Sequence, residues 1–201
     1  NKHTGTIGNF GCLSFNGNKI LTTGGGGAVL TKNKKDYNYC NYLCDQAKDD
    51  KVLSVHNELG YNYKLSNIQS ALGCAQFEKL KSYLMKKKRI HQNYIKLFKN
   101  SKNFKILKPK SYFESNYWLN VLIINNKSKV SLKRLTNKLL NNGIEVRPVW
   151  KLNHSQKHFK IYQKYRIKKS SKIAKTHLCI PSSPDLKFSQ QKFIYKIINS
   201  V

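Results

Sequence analysis

The sequence predicts an α/β protein, on three observations. Short β-branched runs bounded by Gly, Asn and Ser recur along the chain. Apolar residues recur at helical spacing over residues 66–98, 132–140 and 189–199. The two patterns interleave rather than segregate, which implies a small sheet covered by helices.

Cys12 to Phe15 and Ala28 to Thr31 read as short buried strands. Residues 34–48 read as a helix, although tyrosine and asparagine are mediocre helix formers. Val55 to Tyr63 reads as loop. Ser66 caps a long helix whose Ile68, Leu72, Ala75, Leu80 and Leu84 share a face, with lysines opposite, and which runs toward Phe98. Phe104 to Leu107 and Trp118 to Ile124 read as strands. Ser131 caps a helix carrying Leu132, Leu135, Leu139 and Leu140, and Gly143 stops it. Ile144 to Arg147 is strand-like and ends before Pro148. Residues 189–199 form a last helix with Phe193, Ile194, Ile197 and Ile198 inward.

The 201 residues carry 38 basic and 9 acidic side chains, a net charge of +29. Such charge suits nucleic acid. Here the lysines are spread along the chain, with the densest runs at Lys86-Lys87-Lys88-Arg89 and Lys168-Lys169, and Lys, Asn, Ile and Tyr are plentiful together. That pattern points to compositional bias and a solvated surface. No apolar run is long enough to span a bilayer. The five cysteines, at 12, 40, 44, 74 and 179, are odd in number and irregular in spacing, which argues for reduced thiols. Cys40 and Cys44 lack the second pair a zinc site needs. His154 and His158 are at i, i+4, but no zincin glutamate follows His154. His3, His56, His91 and His177 read as surface or structural.

The segment around Lys19 carries the chemistry. An apolar strand enters the polar turn Asn16-Gly17-Asn18-Lys19, and Ile20 to Thr23 lead to four glycines, Gly24 to Gly27. A lysine in such a turn is either a solvated surface residue or an amine presented to an aldehyde, with which it can form a Schiff base. The glycines permit positive φ and close backbone approach to an anion. The lysine precedes the glycines, so this is not a P-loop.

Ser14 to Lys19 with Thr22-Thr23-Gly24 resembles the lysine segment of the DegT/DnrJ/StrS family of pyridoxal-phosphate-dependent sugar aminotransferases. Three further segments resemble that family in its order. They are Gly60-Tyr61-Asn62-Tyr63-Lys64-Leu65 through Gln76, Gly143 to Trp150 with His154, and Ile180 to Pro184. Asn116-Tyr117-Trp118-Leu119 is similar to the subgroup that aminates 4-keto sugars on the way to legionaminic acid and bacillosamine-type sugars.

The resemblance implies the C-terminal part of a fold-type-I transferase like aspartate aminotransferase. Residues 1–64 would be a remnant of the cofactor-binding large domain, 65–98 a long connecting helix and 99–201 a small α/β domain. It implies pyridoxal 5′-phosphate as cofactor, with Lys19 as anchor and proton shuttle. Ser14 would hold the phosphate, and Asn62 would reach the cofactor of a second subunit in a homodimer. Tyr117, Trp118, Arg147, Trp150 and His154 become candidate contacts to a nucleotide sugar, with glutamate as amino donor. Asn62 also reads as a turn residue and Trp118 as core. Lys64 replaces the family's usual arginine, and Gly25 replaces a common glutamate. A cytoplasmic enzyme is expected, and this piece alone is expected to be inactive, since the cofactor's other partners would lie upstream. Two other classes compete: a basic nucleic-acid-binding module, and a non-catalytic relative. Retention of Lys19 argues against the second.

Overall fold

The computed structural model describes residues 2–50 and 52–201. The chain divides into two compact units, Asn1–Lys81 and Ser82–Val201.

In the first unit, strand β1 (Phe10–Ser14) pairs antiparallel with β2 (Gly27–Thr31), with Ser14 opposite Gly27. The two apolar runs are therefore the arms of one hairpin, and residues 15–26 are its connection. Helix α1 (Lys34–Cys44) starts where the Asn33 side chain accepts the Asp36 N–H at 2.8 Å. It stops at Cys44, short of the predicted Lys48. The Asp45 N–H turns back to Tyr42, and Gln46 and Ala47 follow at φ 67° and 49°. This releases the chain into β3 (Lys48–Asp50), which pairs with β4 (Val55–His56). That hairpin lies partly in the segment predicted as loop and is too short to show a period of two.

Helix α2 (Asn67–Glu78) begins at Ser66 in a reciprocal capping box with Gln69. The Lys79 N–H reaches Gln76, three residues back, which tightens the last turn. Helix α3 (Leu80–Leu97) follows, so the single helix expected toward Phe98 is two. The expected apolar face of α2 buries nothing: Ile68 is 84% exposed.

In the second unit, β5 (Phe104–Ile106), β6 (Asn120–Ile124), β7 (Arg147–Pro148) and β8 (His177–Ile180) form a sheet in the order β5-β6-β8-β7. Every neighbouring pair is antiparallel. Helices α4 (Leu132–Asn141), α5 (Lys168–Thr176) and α6 (Phe188–Asn199) complete it. Strand β8 was not predicted; it is four residues long, with Leu178 and Ile180 buried and their neighbours half-buried. Ile144 and Val146 are buried as a strand's would be, but pairing begins only at Arg147. Pro148 is tolerated because β7 is an edge strand. Gly143 ends α4 at φ 70°, as predicted.

The continuous core lies in this unit. Ile90 and Tyr94 of α3, with Phe98 just past its end, pack with Phe104, Leu122, Ile124, Leu135, Leu139, Leu178, Ile194 and Ile198. Full burial of each such aliphatic side chain stabilises the fold by roughly 1.5–3 kcal/mol. Phe193, expected inward, is half-exposed on α6.

Candidate functional site

The β1–β2 hairpin builds the Lys19 turn from backbone hydrogen bonds. Phe15 pins both ends. Its N–H donates to Gly26 at 3.0 Å, and its carbonyl accepts from the Thr23 N–H at 2.9 Å and the Thr22 hydroxyl at 3.0 Å. Inside that clasp the Lys19 N–H reaches Asn16 at 2.9 Å, and the Asn16 side chain accepts the Gly17 N–H at 2.9 Å. Lys19 is half-buried. Gly24 and Gly26 adopt φ 80° and 95°, which only glycine takes without strain. Thr23 is buried and donates its hydroxyl to the Gly25 carbonyl. Gly25 thus contributes its backbone to the turn.

Ser14 stands at the end of β1 and is exposed. Its oxygen accepts a long 3.5 Å contact from the Asn16 N–H, and among the described residues its own proton stays available to an anion. A half-buried amine, a strand-end hydroxyl and a glycine-lined backbone on one hairpin end suit an aldehyde that carries a phosphate.

Asn62 belongs to a strand-like segment laid against the end of α1. The Tyr61 N–H donates to Leu43 at 2.8 Å, the Tyr63 N–H to Cys44 at 3.0 Å, and the Gln46 N–H to Tyr61 at 3.0 Å. Asn62 itself bridges to Asp45. The Tyr61 and Tyr63 rings stack 5.0 Å apart, so alternation turns the exposed Asn62 side chain to the other face. Lys64 is engaged by Asp45 at 2.9 Å.

The second unit holds the other candidates. Tyr117 has φ 52°, a conformation uncommon for a non-glycine residue. It is held by the Ser115 hydroxyl, which accepts its N–H at 3.1 Å, and by the His91 ring at 4.7 Å. The Trp118 and Trp150 rings lie 6.2 Å apart at 31°. Trp150 is 68% exposed. It lines an open cleft of about 640 Å³ with His154, Phe159, Tyr162, Tyr165 and Lys164. His154 and His158 lie in separate 3-10 turns, Asn153–Ser155 and Lys157–Phe159, not on one helix. Arg147 is exposed and paired with Glu145 at 2.7 Å.

Lys19 and Ser14 thus share one hairpin end, and Tyr117, Trp118 and Trp150 fall together in the other unit. Arg147 is not part of the tryptophan contact. Lys87, unmarked in the sequence, is 4% exposed, and burial pushes its pKa down to about 8. It sits inside the cationic run 86–89, and only its phase with Ile90 and Tyr94 on α3 marks it as inward.

Residues 1–199 match the DegT/DnrJ/EryC1/StrS aminotransferase family. The chain belongs to this family. It is 32% identical over 199 residues to a GDP-perosamine synthase of Escherichia coli, covering 98% of this chain and 53% of that protein. It is 29% identical over 203 residues to the UDP-4-amino-4,6-dideoxy-N-acetyl-beta-L-altrosamine transaminase of Campylobacter jejuni, covering 100% and 54%. Helicobacter pylori PseC, an aminotransferase involved in the biosynthesis of pseudoaminic acid, superposes with a TM-score of 0.90 at 22% identity, covering 100% of this chain and 55% of that one. The chain spans about half the length of the curated relatives it matches. The α/β architecture is that of part of a fold-type-I transferase, as predicted.

Proposed function

We propose that the chain contributes to a pyridoxal-phosphate-dependent aminotransferase. It would move an amino group from glutamate to the C4 ketone of a nucleotide-linked 4-keto-6-deoxy sugar. The observation that carries this reading is the Lys19 turn: a half-buried amine fixed by backbone bonds beside Ser14, in a chain matched to the family over residues 1–199. The named activities of the relatives, a perosamine synthase and an altrosamine transaminase, support the sugar class.

Bound pyridoxal phosphate supplies an electron sink that makes a proton next to nitrogen acidic. Lys19 Nζ would hold the cofactor and, when free of it, would serve as the base and acid that carries that proton. Ser14 would donate its hydroxyl to the cofactor's phosphate. Asn62 serves the site of a second copy in a homodimer. Tyr117, Trp118 and Trp150 offer ring faces to the substrate, and Arg147 and His154 offer charge and hydrogen bonds to its diphosphate. The enzyme works in the cytoplasm, and this 201-residue chain does not turn over substrate unaided.

The test is to load the full-length protein with pyridoxal phosphate, reduce with borohydride and map the labelled peptide. Label on Lys19, absent from Lys19→Ala, is the expected result. Label on another lysine, or none, would overturn the assignment.

A further inference from the structure

The run Lys86-Lys87-Lys88-Arg89 looks uniformly solvated, yet Lys87 is 4% exposed while Lys88 and Arg89 are exposed. Burying an ammonium is expensive unless hydrogen bonds replace water. An apolar side chain would fill the same space without that cost, so the reason for a lysine lies in what its nitrogen touches. Nζ donates to the Ser182 carbonyl at 2.6 Å and approaches the Ser182 hydroxyl at 3.4 Å. That hydroxyl donates to the Trp118 carbonyl at 2.8 Å.

Two neighbours on the same face of α3 act in parallel. His91 Nδ1 meets Asn120 Oδ1 at 2.8 Å, and the Tyr94 hydroxyl donates to the Pro181 carbonyl at 3.0 Å. Three polar side chains of one helix face therefore hold two segments, 117–120 and 181–182. The first contains the strained Tyr117 and the Trp118 that packs on Trp150. A backbone held at φ 52° persists only where its surroundings over-determine it, and these contacts do so.

We infer that Lys87 is a positioning residue: acting through Ser182, it fixes the backbone at Trp118 and thereby the Trp118–Trp150 pair that meets the substrate. The role of the pair in substrate contact rests on the aminotransferase reading; the positioning itself does not. Burial lowers the Lys87 pKa to about 8, as withdrawal of an ammonium from water does. Neither His91 Nε2 nor Asn120 Nδ2 has a partner among the described residues, so of the two ties that reach segment 117–120 the one through Lys87 and Ser182 is the better satisfied.

Trp118 and Trp150 are the two tryptophans of the 201 residues, so in this chain by itself indole signals report on this pair. The experiment records near-ultraviolet circular dichroism between about 285 and 300 nm, the window of immobilised indole rings. Lys87→Met should lose most of the band, and Lys87→Arg should recover it. Ser182→Ala, which keeps Lys87 but cuts the step to Trp118, should lose it too. In the full-length protein either cut should raise KM for the nucleotide sugar about fivefold with kcat within about twofold, the size of one lost hydrogen bond. A folded Lys87→Met or Ser182→Ala protein with the wild-type band overturns the positioning. An altered band with unchanged KM overturns its use by substrate. If Lys87→Met does not fold, Ser182→Ala decides by the same two readings. Failure of Lys19 labelling would strike the aminotransferase reading and leave the dichroism result standing.

Discussion

Replacing Gly60 with alanine should loosen the segment that presents Asn62. A Cβ built on Gly60 overlaps Ala47 N and the Gln46 carbonyl carbon, and lies 2.7 Å from the Gln46 oxygen. All three are backbone atoms, so no side-chain rotation relieves the clash. The Gln46–Ala47 peptide has little room to retreat: both residues sit at positive φ, and Ala47 is completely buried. The segment 60–63 must therefore move away from α1. It is tied there by the Tyr61 N–H to Leu43, the Tyr63 N–H to Cys44 and the Gln46 N–H to Tyr61. Loss of two such bonds at about 1 kcal/mol each amounts to about 2 kcal/mol, within the roughly 1–3 kcal/mol typical of overpacking. Hydrogen exchange at the Tyr61 and Tyr63 amides is the direct assay. Protection there should fall roughly 30-fold, since 1.4 kcal/mol is about a factor of ten. Amides in the core of the Ser82–Val201 unit should be unaffected. Unchanged protection at Tyr61 and Tyr63 would show that the close approach does not hold this segment.

Four further outcomes are expected. Leu139→Ala, at a position with no exposure, should cost about 2–5 kcal/mol in denaturant unfolding of the second unit, against almost nothing for the exposed Leu140→Ala. Because the folded pKa of Lys87 is lowered to about 8, the unfolded chain binds more protons above that pH. Its contribution to stability should therefore rise from about pH 8 to 10, and that rise should be missing from the stability-against-pH curve of Lys87→Met measured by thermal melts. Mixing Asn62→Ala with Lys19→Ala full-length chains should restore part of the activity, through hybrid sites free of both defects; mixed dimers with none would argue against a shared site. DNA binding should be independent of sequence and should weaken steeply with salt, as titrations at several ionic strengths would show, whereas tight discrimination at physiological salt would revive the nucleic-acid reading.

The parts of the fold legible in the sequence are those whose causes are local. Ser66 with Gln69, Ser131, and Gly143 each act within a few residues, and all three mark helix ends as read. The Lys19 turn is local as well. Its strands, turn and glycines lie in one stretch of 22 residues between Phe10 and Thr31, and the hydrogen bonds that close it run within that stretch. Family membership was legible for the same reason, since its motifs are short.

Tertiary contact decided the rest. Strand β8 is a strand because it lies between β6 and β7, and its four residues carry too little period to show that alone. The chain leaves α2 at Lys79 through a tightened turn that the continuous apolar spacing across 68–84 does not announce. Lys87 is one of four consecutive cations by sequence, and its inward turn depends on Ser182, 95 residues away. Tyr117 takes a left-handed backbone with the His91 ring against it. A sequence records what each residue prefers by itself and beside its neighbours. Whether a lysine is solvated or buried depends on which distant carbonyl the fold brings within 3 Å of it, and only the folded chain determines that.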